Sequence, residues 1–117
     1  MPDTSDKSLG IDVQREGPGA IITLRGSVTM DETGKLVQTL EELTGAQTAV
    51  IVLNLTELDF ICSTGLGAII RGHLKTRSYD GGIRLVNPQP SVKALLETTR
   101  LTELFPLFPT VEAALSS

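Results

Sequence analysis

The side chains best suited to chemistry crowd into one stretch of this chain, Asp59-Phe60-Ile61-Cys62-Ser63-Thr64-Gly65-Leu66-Gly67. A thiol and two hydroxyls stand together there, where the pattern predicts the start of a helix. Unpaired backbone N–H groups and the positive end of a helix dipole favour an anion at such a place, so a phosphoryl group on Ser63 or Thr64 would be supported. An ordinary helix N-cap explains the same residue types and is worth about 1 kcal/mol. Cys62 is open to two readings, a thiol of lowered pKa at a helix start or a small buried hydrophobe. Gly65 and Gly67 each disfavour a helix by about 1 kcal/mol relative to Ala, which implies close backbone approach by the protein's own sheet or by a partner.

Catalysis finds little support in these residues. An activated nucleophile would have to pair Cys62 or Ser63 with His73, the only histidine. Ten residues along one helix place the imidazole roughly 15 Å from Ser63, far beyond hydrogen-bond reach. His73 is instead expected to be partly exposed beside the apolar stripe of the helix, and Thr76 to be exposed further along it. The turn is no nucleotide-triphosphate loop, because a Gly-Lys-Ser/Thr ending is missing and the next lysine, Lys75, lies well down the helix. One Cys and one His exclude a disulfide framework and a tetrahedral Cys/His zinc site within the chain. No enzyme activity, cofactor or metal is therefore expected.

A second turn, Gly26-Ser27-Val28-Thr29-Met30, lies near the first if the strands before both turns run in one direction within one sheet. Thr29 and Glu32 have the spacing of a capping box, a sufficient structural reason for both. Met30 is apolar in a polar turn and suits either a partner contact or a staple onto the following helix.

The elements that must position these turns follow from periodicity. Ile11, Val13 and the run Ala20 to Leu24 predict a hairpin around Glu16-Gly17-Pro18-Gly19. Leu36, Val37, Leu40 and Leu43 predict a helix over residues 31–44 with Gly45 at its end. Ala49 to Leu53 is an unbroken apolar run, the mark of a central strand covered on both faces. Leu66, Ile69, Ile70 and Leu74 predict the stripe of a second helix ending near Ser78. Ile83 to Val86 is the next strand, Val92, Leu95 and Leu96 a short third helix, and Leu104 to Phe108 a last short strand. Pro109 fits the first turn of a closing helix. The fold class is α/β, with a mostly parallel central sheet, an antiparallel N-terminal hairpin and helices packed mainly on one face.

Composition bounds what such a fold can do. The 117 residues make one domain, with residues 1–8 expected as a flexible N-terminal tail and residues 9–117 as the domain. A net charge of -4, with basic residues scattered singly, lacks the footprint a phosphate backbone requires, so direct nucleic-acid binding is not expected. Aromatic content of 3% leaves no platform for stacked bases. No apolar run approaches the ~20 residues needed to cross a bilayer, and the polar, acidic start is unlike a secretory leader. A cytoplasmic protein without membrane insertion is the expectation.

Leu24-Arg25-Gly26, Ile51-Val52-Leu53-Asn54-Leu55, the segment Leu58 to Gly67 and Gly81-Gly82-Ile83-Arg84-Leu85-Val86-Asn87 together resemble a STAS domain of the anti-sigma-factor antagonist type, from Ile11 onward. The Ser-Thr-Gly-Leu-Gly turn is the most specific part. The resemblance implies a protein that binds an anti-sigma factor, usually also a serine kinase, and is inactivated by phosphorylation, with a serine phosphatase reversing the modification. The family's phosphoacceptor falls on Ser63, with Thr64 as the adjacent hydroxyl. The partner surface falls on Ser27, Thr29, Met30, Cys62, Ser63, Thr64, Gly65, Leu66 and Gly67. Two positions depart from the family pattern: Cys62 replaces the usual Asp before the phosphoacceptor, and Thr29 replaces an acidic residue after the second strand. Both remove negative charge. They lend weight to an alternative, a non-phosphorylated STAS subunit of another complex such as a lipid or anion transport assembly.

Overall fold

The computed structural model describes residues 9–116, so the expected tail at residues 1–8 lies outside the described residues. Strands β1 (Gly10–Glu16) and β2 (Gly19–Val28) form the expected hairpin. Its two-residue turn is Gly17-Pro18, with Gly17 at a φ of +58°, a conformation that glycine adopts without steric cost. Helix α1 (Thr33–Gly45) follows a 3-10 turn at Met30–Glu32. Strand β3 (Val50–Ile61), helix α2 (Ser63–Arg77), strand β4 (Gly82–Val86), helix α3 (Pro90–Thr98), strand β5 (Leu107–Phe108) and helix α4 (Val111–Ser116) complete the chain.

The sheet order is β1-β2-β3-β4-β5, antiparallel at the hairpin and parallel elsewhere, so β3 is the middle strand as its apolar run predicts. Its alternate residues serve two cores. Ile51 and Leu53 join Ile22, Leu24 and Leu85 under Leu36 and Leu40 of α1, Leu66 and Ile69 of α2, and Val92 and Leu96 of α3. Val52 joins Ile21 and Val86 under Ala114 of α4. Three helices thus belong to the large core and the short closing helix covers the small one.

Several details differ from the sequence reading. Strand β3 runs on to Ile61, well past the continuous apolar run. It carries two bulges against β2, where Thr23 pairs with Asn54 but Arg25 with Glu57, and Gly26 with Leu58 but Ser27 with Phe60. Each extra residue shifts which side chains face inward, so alternation is lost beyond Leu55. Helix α1 starts at Thr33 and includes Gly45, with Ala46 as the residue that caps the carbonyl of Glu42. Pro109 precedes α4, whose first turn is held by the Ala113 N–H donating to Thr110 Oγ. On α2, Leu74 is 58% exposed, whereas His73 and Thr76 are buried at 4% and 0%. The stripe facing the core is Leu66, Ala68, Ile69, Gly72, His73 and Thr76.

Candidate functional site

Parallel pairing of β2 with β3 puts Val28 beside Ile61, and the Cys62 N–H donates to the Val28 carbonyl at 2.9 Å. The two turns singled out in the sequence therefore adjoin at the carboxyl ends of neighbouring strands, the edge where α/β sheets place ligand and partner sites. Helices α1 and α2 begin side by side there.

Cys62 is the residue before α2, extended at φ −80° and ψ 170°, and its carbonyl accepts from Leu66 N–H at 3.0 Å. Ser63 and Thr64 are thus the first two helical residues, and neither is the N-cap. A chain of side-chain hydrogen bonds ties the two turns together. The Thr33 hydroxyl donates to the Thr29 carbonyl at 3.1 Å. Having one proton, it must accept from the Thr64 hydroxyl, 3.0 Å away. Thr64 Oγ in turn is free to accept from the Cys62 thiol at 3.1 Å. Thr33 Oγ also lies 3.5 Å from Cys62 Sγ.

Cys62 is half-buried, not the enclosed hydrophobe that one reading expects. Burial pushes its thiol pKa up, but the side-chain hydrogen bonds with Thr33 and Thr64, in which the Thr64 hydroxyl would turn to the sulfur on ionisation, and the backbone N–H groups of Gly65 and Thr64 outweigh it, and the thiol lies below its usual value. Those donors stabilise a thiolate as they would any anion at this helix start. The Ser63 side chain differs from its neighbours: it is exposed and makes no hydrogen bond among the described residues.

Gly65 has a structural explanation inside the molecule. A Cβ there would lie 2.7 Å from Val28 Cγ1 and 2.8 Å from Ile61 Cγ1, so the helix start is pressed onto the ends of β2 and β3. Only Gly fits that approach. Gly67 is half-buried, and a Cβ on it would meet only the Arg71 guanidinium, at 3.4 Å.

The remaining site residues divide by exposure. Thr29, Ser63 and Thr64 are exposed, and Met30 is 74% exposed, so Met30 is no staple onto α1. Ser27, Gly65 and Leu66 are buried and shape the surface from beneath. No side-chain cap forms between Thr29 and Glu32: Glu32 Oε1 instead lies 2.8 Å from Lys35 Nζ, and only the backbone bond from Glu32 N–H to Thr29 O remains. Two residues at this end were not singled out by the sequence reading. Thr33 joins the turns, and its position at the true start of α1 was obscured by the 3-10 turn before it. Phe60 is 50% exposed next to the site, an orientation that follows from the β3 bulge at Asp59.

His73 is far from all of this. Its Nδ1 accepts the Ile83 N–H at 3.2 Å and its ring packs edge-on against Phe105 at 4.9 Å. An imidazole so placed is neutral, with the proton on Nε2, and burial followed by the nearby Arg77 charge lowers its pKa. The expectation of a partly exposed His73 is therefore corrected: it fastens α2 to β4. Among the described residues no cluster of three or more His, Cys, Asp or Glu could hold a metal, and no helix is long and apolar enough to cross a membrane.

A hairpin-led, mostly parallel sheet with helix starts gathered at the carboxyl ends of β2 and β3 defines a STAS domain. The chain belongs to the STAS domain family, whose model matches residues 11–114. Among solved structures it is similar to an anti-sigma factor antagonist from Mycobacterium paratuberculosis, with 22% identity over 96% of this chain and 95% of that one and a TM-score of 0.87. It is also similar to the anti-sigma factor antagonist SpoIIAA in its unphosphorylated form, with 18% identity, 91% and 93% of the two chains covered and a TM-score of 0.80. The phosphorylated form of SpoIIAA, a Bacillus cell fate determinant, matches with 17% identity, 92% and 97% coverage and a TM-score of 0.74. At these identities the likeness establishes the fold. No curated protein matches the sequence.

Proposed function

We propose that this chain is a regulatory binding module, an anti-sigma-factor antagonist that binds an anti-sigma factor with serine-kinase activity and is switched off by phosphorylation of Ser63. One observation carries the choice of residue. Of the two adjacent hydroxyls, Thr64 is held in the chain from Cys62 to Thr33, while Ser63 projects into solvent with no partner among the described residues. A kinase can reach Ser63 without breaking the bonds that join the two turns. The similarity to SpoIIAA, solved in both unphosphorylated and phosphorylated forms, supports the same reading.

The unmodified surface suits a close-fitting partner because it is uncharged at its centre, with Cys62, Ser63 and Thr64 flanked by the exposed apolar side chains of Met30 and Phe60. Phosphorylation adds about −1.5 to −2 charges there. The isolated domain tolerates that charge at a helix start, whereas an interface that desolvates it does not, so the modification acts on binding rather than on folding. Two acidic residues usual in the family are absent at Cys62 and Thr29, so recognition by the kinase rests on shape and hydrogen bonding more than on charge.

Incubation with the kinase-type partner and ATP, followed by mass spectrometry, tests the assignment. One added phosphate, abolished in Ser63→Ala and retained in Thr64→Val, is the expected result. An unmodified wild-type chain would instead favour the non-phosphorylated subunit of a transport or other assembly, and a phosphate retained in Ser63→Ala would move the site.

A further inference from the structure

Two hydroxyls stand side by side at the start of α2, and exposure does not tell them apart, since Ser63 and Thr64 are both open to solvent. Their hydrogen bonds do. Thr33, half-buried in the first turn of α1, donates its single proton to the Thr29 carbonyl at 3.1 Å, so its oxygen meets Thr64 as an acceptor. The Thr64 proton is thereby drawn to Thr33 Oγ at 3.0 Å, and a lone pair of Thr64 Oγ is left facing the Cys62 thiol at 3.1 Å. If the thiol ionises, the sulfur competes for the same proton, but while it is intact Thr33 is the acceptor. Ser63 Oγ has no such partner among the described residues.

The clasp is built on a firm base. The Cys62 N–H bond to the Val28 carbonyl and the close seating of Gly65 on Val28 and Ile61 hold the two helix starts together without help from the hydroxyls. Removing the Thr33 hydroxyl therefore frees Thr64 without parting α1 from α2. Phosphoryl transfer from ATP to a hydroxyl forms the Oγ–P bond and breaks the bond from the γ-phosphorus to the bridging oxygen of the departing ADP. The hydroxyl proton passes to a base on the kinase. An attacking oxygen needs a free lone pair toward the phosphorus and a proton directed at that base. Ser63 has both free, whereas Thr64 has its proton turned toward α1 and its rotamer fixed by the same bonds.

We propose that Thr33 is the residue that confines phosphorylation to Ser63: it is a positioning residue, acting through Thr64, whose hydroxyl keeps the neighbouring acceptor out of the reaction. This role rests on the reading of the Ser63 surface as a kinase substrate.

The test compares the wild type with Ser63→Ala alone, combined with Thr33→Val, and combined with Thr33→Ser. Each full chain is incubated with the kinase-type partner and ATP, and the phosphate is located by mass spectrometry. Phosphate on Ser63 alone is expected in the wild type, and none in Ser63→Ala. Adding Thr33→Val should bring phosphate to Thr64 at a rate about tenfold or more above Ser63→Ala, the gain from releasing one hydrogen bond. Adding Thr33→Ser should keep Thr64 silent, because the acceptor is restored. Thr33→Ala replaces Thr33→Val if amide spectra show a disturbed α1. Three-bond side-chain couplings of Thr64 give a readout without the kinase: one χ1 rotamer in the wild type and Thr33→Ser, averaging in Thr33→Val. Phosphate on Ser63 in the wild type with none on Thr64 in the Thr33→Val combination, or a Thr64 rotamer already averaged in the wild type, would overturn the role of Thr33 and leave the Ser63 switch standing. A wild type without phosphate would overturn the switch and this role together.

Discussion

Helix α2 has two ends of opposite character. At its start, Ser63 and Thr64 are exposed, the thiol of Cys62 is half-open, and a chain of hydroxyls joins two turns across a strand boundary. Three turns later, His73 and Thr76 are enclosed: His73 Nδ1 accepts from Ile83 N–H while its buried Nε2 has no partner among the described residues, and Thr76 Oγ donates to the His73 carbonyl at 2.6 Å. A single helix thus carries an exposed start, where the proposed modification would meet solvent, and a buried anchor near its other end. The difference matters for a switch, because a charge added at the start must change binding while the sheet beneath it stays in place.

Substitutions at the two ends should separate binding from stability. The largest effect belongs to Thr76→Asp, which buries a carboxylate where the side chain has no exposure and removes the bond to the His73 carbonyl. A loss of about 3 kcal/mol or more is expected in urea unfolding, since an unpaired buried charge is among the most destabilising changes a core can receive. An effect below about 1 kcal/mol would mean that this end of the helix is looser than described.

Gly65→Ala lies at the open end yet probes packing. The new methyl would meet Val28 and Ile61 under 3.0 Å, an overpacking cost of about 1–3 kcal/mol. Better helix propensity offsets about 1 kcal/mol of it, so a net loss of about 1–2 kcal/mol is expected by the same measurement.

The anchor also predicts a pH dependence. His73 is the only histidine, and its folded pKa lies below the ordinary value of roughly 6.5. Between the folded and unfolded values the unfolded chain binds the extra proton, so stability rises with pH there. The stabilisation is complete above about pH 6.5 and declines as the pH falls through the folded pKa, with a slope of at most about 1.4 kcal/mol per pH unit. Denaturant melts from pH 7.5 to 5.5 should show that decline in the wild type and lose it in His73→Phe. The variant would be less stable throughout because Ile83 N–H loses its acceptor.

Why the sequence revealed one end better than the other is a matter of side-chain type. The hydroxyl turn was legible because Ser, Thr and Gly after an apolar strand have local meanings, and β2–β3 pairing then brought Thr29 and Met30 beside it. The anchor was not legible. His and Thr count as polar in any hydrophobic pattern, and what admits them to the interior is a structural detail: Ile83 N–H, ten residues on in β4, meets His73 Nδ1, and Thr76 Oγ turns back to the His73 carbonyl. Leu74 misled in the opposite direction, as an apolar side chain on the solvent face. The extent of β3 and the exposure of Phe60 were hidden for a similar reason, since bulges break the alternation from which strand faces are read. Thr33 escaped notice because the 3-10 turn displaced the start of α1 by a few residues.

The smallest stability effect is expected at Ser63. Ser63→Asp places a negative charge on an exposed first-turn position and should change unfolding free energy by no more than about 0.5–1 kcal/mol, in the stabilising direction. Its effect on binding should be weaker than that of phosphoserine, which carries nearly twice the charge. A large loss of stability in this variant would erase the contrast between the two ends.

The proposed Ser63 switch is tested most directly by calorimetric titration of the proposed kinase-type anti-sigma partner with the unmodified chain, with the chain phosphorylated at Ser63, and with Ser63→Ala, alongside their melting temperatures. The expected result is tight binding of the unmodified chain and of Ser63→Ala, affinity for the phosphorylated chain reduced about a hundredfold, equivalent to about 3 kcal/mol, and melting temperatures that are nearly equal. Equal affinity of the phosphorylated and unmodified chains, with both folded, would contradict it.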